Sequence, residues 1–338
     1  MESSRSDVGG ALAWTRRGFV RRVSLASAAW AGCAPVLAAG DPSHRVRFGL
    51  IADIHPDVLP DGLERVQSFV GAMTEARVDC VIQLGDFVWP KPSNRRFLDA
   101  WNRFPGPRYH VLGNHDMDDG YTSDQTVAFV GLPARYYTFP LGPALGIVLD
   151  GNEPGGRRSG YRRFLGPAQL TWLERELIHA DRPCLLFIHQ PFDSEHDDAL
   201  ENAAEVRAMV ERVESGRPGT VLAVFSGHFH LDYARVVRGI RYFGINSAAY
   251  WWLANQKARR EVYPPKVHEE FRWASAVVPY RDPLWALVTL DLDRGELVIE
   301  GKRSEWLGPD PWTRGEITDR PRESLHPWIS DQRVRLKG

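Results

Sequence analysis

The chain has 338 residues, of which 43% are hydrophobic, 25% charged and 11% aromatic. This composition is typical of a globular protein and excludes a disordered chain or a collagen-like repeat, while 3 cysteines are too few for a disulfide-dense scaffold. The 42 Lys and Arg residues nearly balance the 43 Asp and Glu residues, so the formal net charge of −1 gives no global attraction to nucleic acid or to an anionic membrane.

Residues 1–40 have the organisation of an export signal. The basic segment Thr15–Val20 (TRRGFV) precedes a modestly apolar stretch, Val23–Ala39, which closes on small residues. This order resembles a twin-arginine (Tat) signal peptide, which implies delivery of the folded protein by the Tat machinery to the periplasm or the exterior. The alternatives are an Arg-rich amphipathic helix, a membrane anchor, or a lipid anchor on Cys33.

Removal of this segment takes away five arginines and two acidic residues, which leaves 37 basic against 41 acidic residues and a net charge of −4. We therefore expect no nucleic-acid partner. No later stretch reaches 18 apolar residues, so we expect no transmembrane span in the mature chain. Cys80 and Cys184 lie within apolar runs and are expected to be two buried thiols rather than a disulfide.

Five short apolar runs dominate the chain from residue 45 onward, and each is followed by polar residues. Continuous runs rich in Val, Ile and Leu are typical of strands that are covered on both faces. The runs predict strands over Arg45–Ile54, Asp79–Leu84, Tyr109–Leu112, Pro183–Ile188 and Thr220–Phe225.

Helical periodicity separates several of these runs. Apolar residues spaced for one helical face predict helices over Gly62–Ala76, Pro167–Ala180 and Glu201–Val213. Alternating apolar and polar residues over Tyr233–Ile245 and Trp285–Gly301 predict half-buried hairpins. Together these elements predict an α/β fold in which two packed sheets are flanked by helices.

Two polar, aromatic stretches break this pattern, Asp118–Ala134 and Trp251–Pro283, and long loops of this kind are usually functional or mobile. We interpret the second as an insert within a domain over residues 41–305, followed by a tail over 306–338 that wraps the surface. The aromatic residues of the insert either form a small core, which we favour for most of them, or stack on substrate.

The residues that follow the five apolar runs are of metal-binding types. Each motif alone is weak, but the carboxyl ends of strands in an α/β sheet meet at one edge, so the side chains can converge. Asp carboxylates and imidazoles suit Mn, Fe or Zn. The set is too large for one tetrahedral ion but fits two ions that share a carboxylate. The candidate ligands are Asp53, His55, Asp86, Asn114, His189, His228 and His230.

In chain order, these motifs resemble those of the calcineurin-like metallophosphoesterase family: Asp53-Ile54-His55, Gly85-Asp86, Gly113-Asn114-His115-Asp116, His189 and Gly227-His228-Phe229-His230. The resemblance covers about residues 45–250 and implies a four-layer α/β/β/α fold with two divalent metal ions, Mn, Fe or Zn. It implies that one ion is held by Asp53, His55, Asp86 and His230, and the other by Asp86, Asn114, His189 and His228. His115 would face the leaving-group oxygen, and Asp116 would either orient His115 or cap a helix.

The resemblance also implies the reaction: hydrolysis of a small phosphodiester or phosphomonoester, with diesters slightly favoured, by in-line attack of a metal-bridging hydroxide. Trp89 stands where the purple acid phosphatase branch has a metal-binding tyrosine, so no tyrosinate-bound ferric centre is expected. Two alternatives remain open. A non-catalytic protein-interaction scaffold of the same fold would lack some ligands, and a nuclease on the same metal core would favour a basic groove.

Overall fold

The computed structural model describes residues 44–253, 259–318 and 320–336. The predicted signal over residues 1–40 therefore lies outside the described residues. Within the described ranges, none of the helices is both long enough and apolar enough to cross a membrane.

The described residues form fourteen strands and six α-helices. In chain order the strands are β1 (Arg45–Ile51), β2 (Cys80–Gln83), β3 (Arg108–His110), β4 (Tyr137–Leu141), β5 (Ala144–Val148), β6 (Cys184–Ile188), β7 (Val221–Ser226), β8 (Tyr233–Val237), β9 (Ile240–Gly244), β10 (Tyr250–Trp252), β11 (Val277–Pro279), β12 (Ala286–Asp291), β13 (Glu296–Gly301) and β14 (Gln332–Arg335). The helices are α1 (Gly62–Glu75), α2 (Arg95–Trp101), α3 (Ser123–Val130), α4 (Pro167–His179), α5 (Ala203–Gly216) and α6 (Pro265–Glu270).

Both large sheets mix parallel and antiparallel pairs. The first has the order β14-β13-β12-β1-β2-β3, with β1, β2 and β3 parallel and the other pairs antiparallel. The second has the order β4-β5-β6-β7-β9-β8, with β5, β6, β7 and β9 parallel. Strands β10 and β11 form a separate antiparallel pair. The parallel strands in each sheet place their carboxyl ends at a common edge, which is where the site lies.

Three apolar layers separate four structural layers. Between the sheets, Phe48 of β1 meets Phe187 and Phe225 of the second sheet edge to face, with ring centres 6.0 and 6.1 Å apart. Helices α1 and α2 cover the outer face of the first sheet, and α4 and α5 cover the second. The buried side of α1 carries Val66 and Phe69, as the helical periodicity predicted. The predicted α/β arrangement of two mixed sheets flanked by helices is confirmed.

Two local expectations need correction. Asp118–Ala134 is not a loop throughout, because it contains α3, whose first turn is capped by reciprocal hydrogen bonds between Thr122 and Gln125 and which ends at Gly131 with φ 78°. The insert over 251–283 contains β11, α6 and most of β10.

Tail residues form β14, which pairs with β13. The expected pair of buried thiols is found, since Cys80 and Cys184 are buried and free.

Candidate metal centre and active site

Side chains that follow the parallel strands of both sheets converge at one edge. Three groups of potential ligand atoms form there, and within each group the atoms lie within 4.8 Å of one another. The first group consists of Asp53, His55 and His230, and the second of Asp86, His189 and His228. The third, formed by His55, Asp86 and His115, shares one residue with each of the other two. The first two groups bring together six of the seven predicted ligands, from four separate segments of the chain.

Asp86 lies between the first and second groups. Its Oδ2 atom is 3.0 Å from Nε2 of His189 in the second group and 3.5 Å from Nε2 of His55 in the first. Within the first group, Nε2 of His230 lies 3.3 Å from Oδ1 of Asp53. A carboxylate in this position has two oxygens and can serve both groups.

Backbone carbonyls fix the orientation of two of the histidines. Nδ1 of His189 donates to the carbonyl of Leu84 at 2.7 Å, and Nδ1 of His230 donates to the carbonyl of Tyr250 at 2.9 Å. These hydrogen bonds use Nδ1 as a donor, so Nε2 is the ring nitrogen that faces the cluster, which is the orientation that metal-binding histidines need.

Asn114 supplies a direct test of whether the residues fit a cation. Its Oδ1 atom is buried and has no hydrogen-bond partner among the described residues, which is costly for an amide oxygen unless something else binds it. The surrounding donors are imidazole nitrogens and carboxylate oxygens, a set that suits Mn, Fe or Zn. The residues therefore fit two divalent cations.

The backbone at this edge is strained. Five of the candidate ligands have positive φ angles, a left-handed conformation that side-chain-bearing residues rarely adopt. Only three other non-glycine residues in the described ranges share it. The five are Asp53 (55°), His55 (46°), Asp86 (52°), His228 (69°) and His230 (51°). Such strain persists only where surrounding structure enforces it, and here it turns each side chain toward the common edge.

Two motif glycines allow the segments to approach closely. Gly85 has φ 103°, and a Cβ atom there would collide with the ring of His189. A Cβ atom on Gly113 would collide with the backbone nitrogen and carboxylate of Asp86. Glycine is required at both positions because another part of the site occupies the space a side chain would need.

The charges of the cluster are strongly coupled. Burial alone disfavours the charged form of each group, but the carboxylate of Asp86 raises the pKa of His189 to about 9, and nearby His189 and His115 hold the pKa of Asp86 well below its usual range. Burial lowers the pKa values of His55 and His228, so their imidazoles are neutral with lone pairs available to a cation.

His115 is held by a carboxylate that the sequence did not indicate. Its Nδ1 atom lies 2.8 Å from Oδ2 of Asp118, and the Tyr161 hydroxyl donates to Oδ1 of Asp118 at 2.9 Å while lying 3.1 Å from the same Nδ1. Nε2 of His115 is thus the ring nitrogen left for the cavity, and His115 also lies within ligand distance of His55 and Asp86. The His-x-x-Asp spacing of His115 and Asp118 was a local pattern that could have suggested this contact. No local pattern marks Tyr161.

Asp116, which we expected either to orient His115 or to cap a helix, contacts backbone amides. Its carboxylate accepts hydrogen bonds from the backbone amides of Phe87 at 2.7 Å, Val88 at 2.8 Å and Gly113 at 2.8 Å. Asp116 therefore joins the turn that carries Asp86 to the turn that carries Asn114, and it does not orient His115.

A cavity of about 690 Å³ opens in front of the cluster. His55, Asp86, Asn114, His115, His228 and His230 line it together with Trp251 and Trp252 of the insert. Other aromatic residues of the insert, including Phe271 and Trp273, pack around Val58 and Tyr250, as the small-core interpretation expected. The insert thus combines both roles: most of its aromatic residues form a core, and two face the cavity.

Comparison with known proteins adds two relatives. The chain is similar to a manganese-dependent ADP-ribose/CDP-alcohol diphosphatase of Oryza sativa subsp. japonica, with 25% identity over an alignment of 256 residues. The match covers 54% of this chain and 77% of the relative. Its fold is similar to that of a dimetal phosphatase from Danio rerio, with a TM-score of 0.54, 16% sequence identity and coverage of 78% of this chain and 99% of that one.

The sequence model of one family, calcineurin-like phosphoesterase, matches residues 46–232, which is more than half of the chain and contains every candidate ligand. The matched region and the cluster of His and Asp side chains coincide. The chain therefore belongs to the calcineurin-like phosphoesterase family.

Proposed function

We propose that this protein is an exported, dinuclear metal-dependent phosphoesterase. Its substrates are small phosphate esters, with phosphodiester and diphosphate linkages favoured over monoesters. The relative from Oryza sativa is named as a manganese-dependent diphosphatase, which supports both a divalent metal and a substrate with two linked phosphates.

One observation carries the proposal: the carboxylate of Asp86 lies between two groups of ligands, within 3.5 Å of a histidine in each. Asp53, His55, Asp86 and His230 would hold one cation, and Asp86, Asn114, His189 and His228 the other. Bound there, two divalent cations would supply Lewis acidity toward phosphate oxygens and lower the pKa of a water molecule toward neutrality. The complete ligand set favours an enzyme over a non-catalytic scaffold.

The chain's own proton chemistry centres on His115. Asp118 holds the imidazole through Nδ1, so Nε2 can present a proton to the oxygen of the departing group. Burial would lower the pKa of His115, but the charges of Asp86 and Asp118 raise it to about 9, which favours the protonated ring. Water attacks phosphorus on the side opposite this oxygen, with no covalent enzyme intermediate.

The test is turnover by the Mn-reconstituted protein of p-nitrophenyl phosphate beside bis(p-nitrophenyl) phosphate. We expect Asp86→Ala to abolish turnover of both, and we expect hydrolysis in ¹⁸O-labelled water to place the label in the phosphorus-containing product. Full activity in Asp86→Ala would remove the bridging role. Label found only in the alcohol would contradict attack at phosphorus.

Export is a separate part of the proposal and rests on the Arg16-Arg17 pair and the apolar stretch behind it. Replacing both arginines by lysine should retain the protein inside the producing bacterium, while the same change at Arg21 and Arg22 should not. Unchanged export of the first variant would refute the Tat assignment.

A further inference from the structure

Arg163 is a cation of the cavity that lacks a partner. It lines the same 690 Å³ space as Asn114 and His228, and its side chain is half-buried. Its Nε atom is fully buried with no hydrogen-bond partner, and no carboxylate among the described residues pairs with its guanidinium. A buried cationic donor without an acceptor is costly, so this guanidinium points to an anion that binds in the cavity.

A neighbouring arginine shows the contrast. Arg235 lines the same cavity, but its Nη1 atom is 3.1 Å from the buried carboxylate of Asp193. That ion pair neutralises Arg235 within the protein. Arg163 has no such compensation, so its charge is available to a ligand.

The position of Arg163 is fixed by backbone hydrogen bonds on both sides. Its own carbonyl accepts from the amide of Glu201 at 2.7 Å, and the next residue, Phe164, donates to the carbonyl of Gly151 at 2.7 Å. These bonds fix the backbone from which the Arg163 side chain reaches the cavity.

A second cation and an aromatic ring also line the cavity. The guanidinium of Arg320 lies 5.0 Å from the centre of the Trp251 ring, and both residues line the cavity. The volume exceeds what a single phosphate group needs and lies within the usual range for ligands of nucleotide size. Trp251 offers a surface on which a ring of such a ligand can stack.

We propose that Arg163 binds a second phosphate group of the substrate, so that the preferred substrates carry two phosphates, one at the metal cluster and one at Arg163. This inference rests on the proposed function and adds to it the residue that recognises the second phosphate. Arg163 is a specificity-determining residue in this view, because the phosphate at the cluster is already neutralised by the cations held there.

Selectivity between substrates tests the inference. In the Mn-loaded full chain, Arg163→Gln should lower kcat/KM for ADP-ribose, which has two phosphates, by about 10- to 100-fold, and for bis(p-nitrophenyl) phosphate by less than about 3-fold. Arg163→Lys should fall between the wild type and Arg163→Gln, because it keeps the charge but loses the planar fork. Arg235→Gln is the matched control and should leave the ratio of the two kcat/KM values unchanged. Equal losses for both substrates would place Arg163 on the phosphate at the cluster and overturn the proposal, as would no loss.

Binding separates this inference from the reaction itself. Calorimetry with the non-hydrolysable α,β-methylene-ADP and with AMP should show tighter binding of the diphosphate analogue to the wild type, and Arg163→Gln should remove most of the difference. If no phosphate ester were hydrolysed but this preference remained, the proposed function would fail and the subsite would stand. If hydrolysis occurred without the preference, the reverse would hold.

Discussion

The hydroxyl of Tyr161 donates a hydrogen bond of 2.9 Å to the carboxylate of Asp118. The other oxygen of that carboxylate lies 2.8 Å from Nδ1 of His115, so the three side chains form a chain of contacts that ends at the cavity. The Tyr161 ring also packs on His115, with centres 4.5 Å apart. In the proposed reaction, Tyr161 and Asp118 would therefore act through the orientation of His115.

This relationship predicts a dependence on the leaving group. Asp118→Asn should lower kcat by about 10- to 100-fold for esters of poor leaving groups such as alkyl alcohols, because they need a proton from His115. The loss should be much smaller for p-nitrophenyl esters. Tyr161→Phe should show the same trend at about 3- to 10-fold, with little change in KM. Steady-state kinetics over a series of leaving groups provides the measurement.

Asp119→Asn is the control for that series, because Asp119 is bound to Lys91 and Trp89 rather than to His115. It should change kcat little for any leaving group. A uniform loss in Asp118→Asn across all leaving groups would show that Asp118 supports the fold and not proton transfer.

Asp116 should support both stability and metal binding. Asp116→Asn replaces one of the two acceptor oxygens by an NH₂ group, so either the amide of Gly113 or those of Phe87 and Val88 lose their acceptor, and the free energy of unfolding should fall by about 1–3 kcal/mol. Because these amides flank the turns of Asp86 and Asn114, Mn²⁺ affinity should fall by about tenfold. Urea unfolding and metal titration measure the two effects, and unchanged values of both would contradict the linking role.

A buried ion pair should hold the insert against the tail. The guanidinium of Arg259 is fully buried, 2.6 Å from the carboxylate of Glu316, and donates to the carbonyl of Pro309. Arg259→Leu leaves the buried Glu316 carboxylate with Arg314, at 2.9 Å, as its remaining partner. The region should therefore lose stability, but less than the about 3–5 kcal/mol that a fully unpaired buried charge costs. Hydrogen exchange should rise across residues 259–283 and 306–316 while metal stoichiometry stays at the wild-type value. Protection equal to that of the wild type would contradict this prediction.

Asp150 should make stability depend on pH. Burial raises its pKa to about 6, against hydrogen bonds from Asn152 and the charge of Arg135, which lower it. The folded pKa therefore lies above the unfolded value of about 3.9. The stabilising contribution is complete below about pH 4 and is lost as pH rises through about 6, a change of about 2–3 kcal/mol.

Asp150→Asn removes this titration. Its free energy of unfolding relative to the wild type should increase by up to about 2 kcal/mol between pH 4 and pH 7.5, measured by urea denaturation. The exposed Asp197→Asn serves as the control, with a difference that should not vary over this range. A constant difference for Asp150→Asn would show that the carboxyl is not perturbed.

The strand ends could be predicted from the sequence because each apolar run and its following motif are contiguous. β2 and β6 lie within the predicted runs, and Asp86 and His189 follow them as expected. The hairpin of β4 and β5 was missed, since Pro140 and Gly146 disguise its alternation. Pairing over long distances, such as β14 with β13, leaves no local pattern.

In the site too, local patterns could be predicted from the sequence, whereas contacts between distant segments could not. Motifs supplied the candidate ligands, but not the contacts that orient them. Tyr161 lies 43 residues beyond Asp118 in the chain, and the carbonyl that orients His230 comes from Tyr250, 20 residues later. The unpaired state of Arg163 depends on the absence of a carboxylate in its surroundings, which requires the folded structure of the described residues.

Metal stoichiometry tests the central claim most directly, that two ligand groups share Asp86. Equilibrium dialysis of the purified protein against Mn²⁺, followed by elemental analysis, should give two equivalents per chain, and Asp86→Ala should hold at most one. Fewer than one equivalent in the wild type, or two in Asp86→Ala, would contradict the shared site.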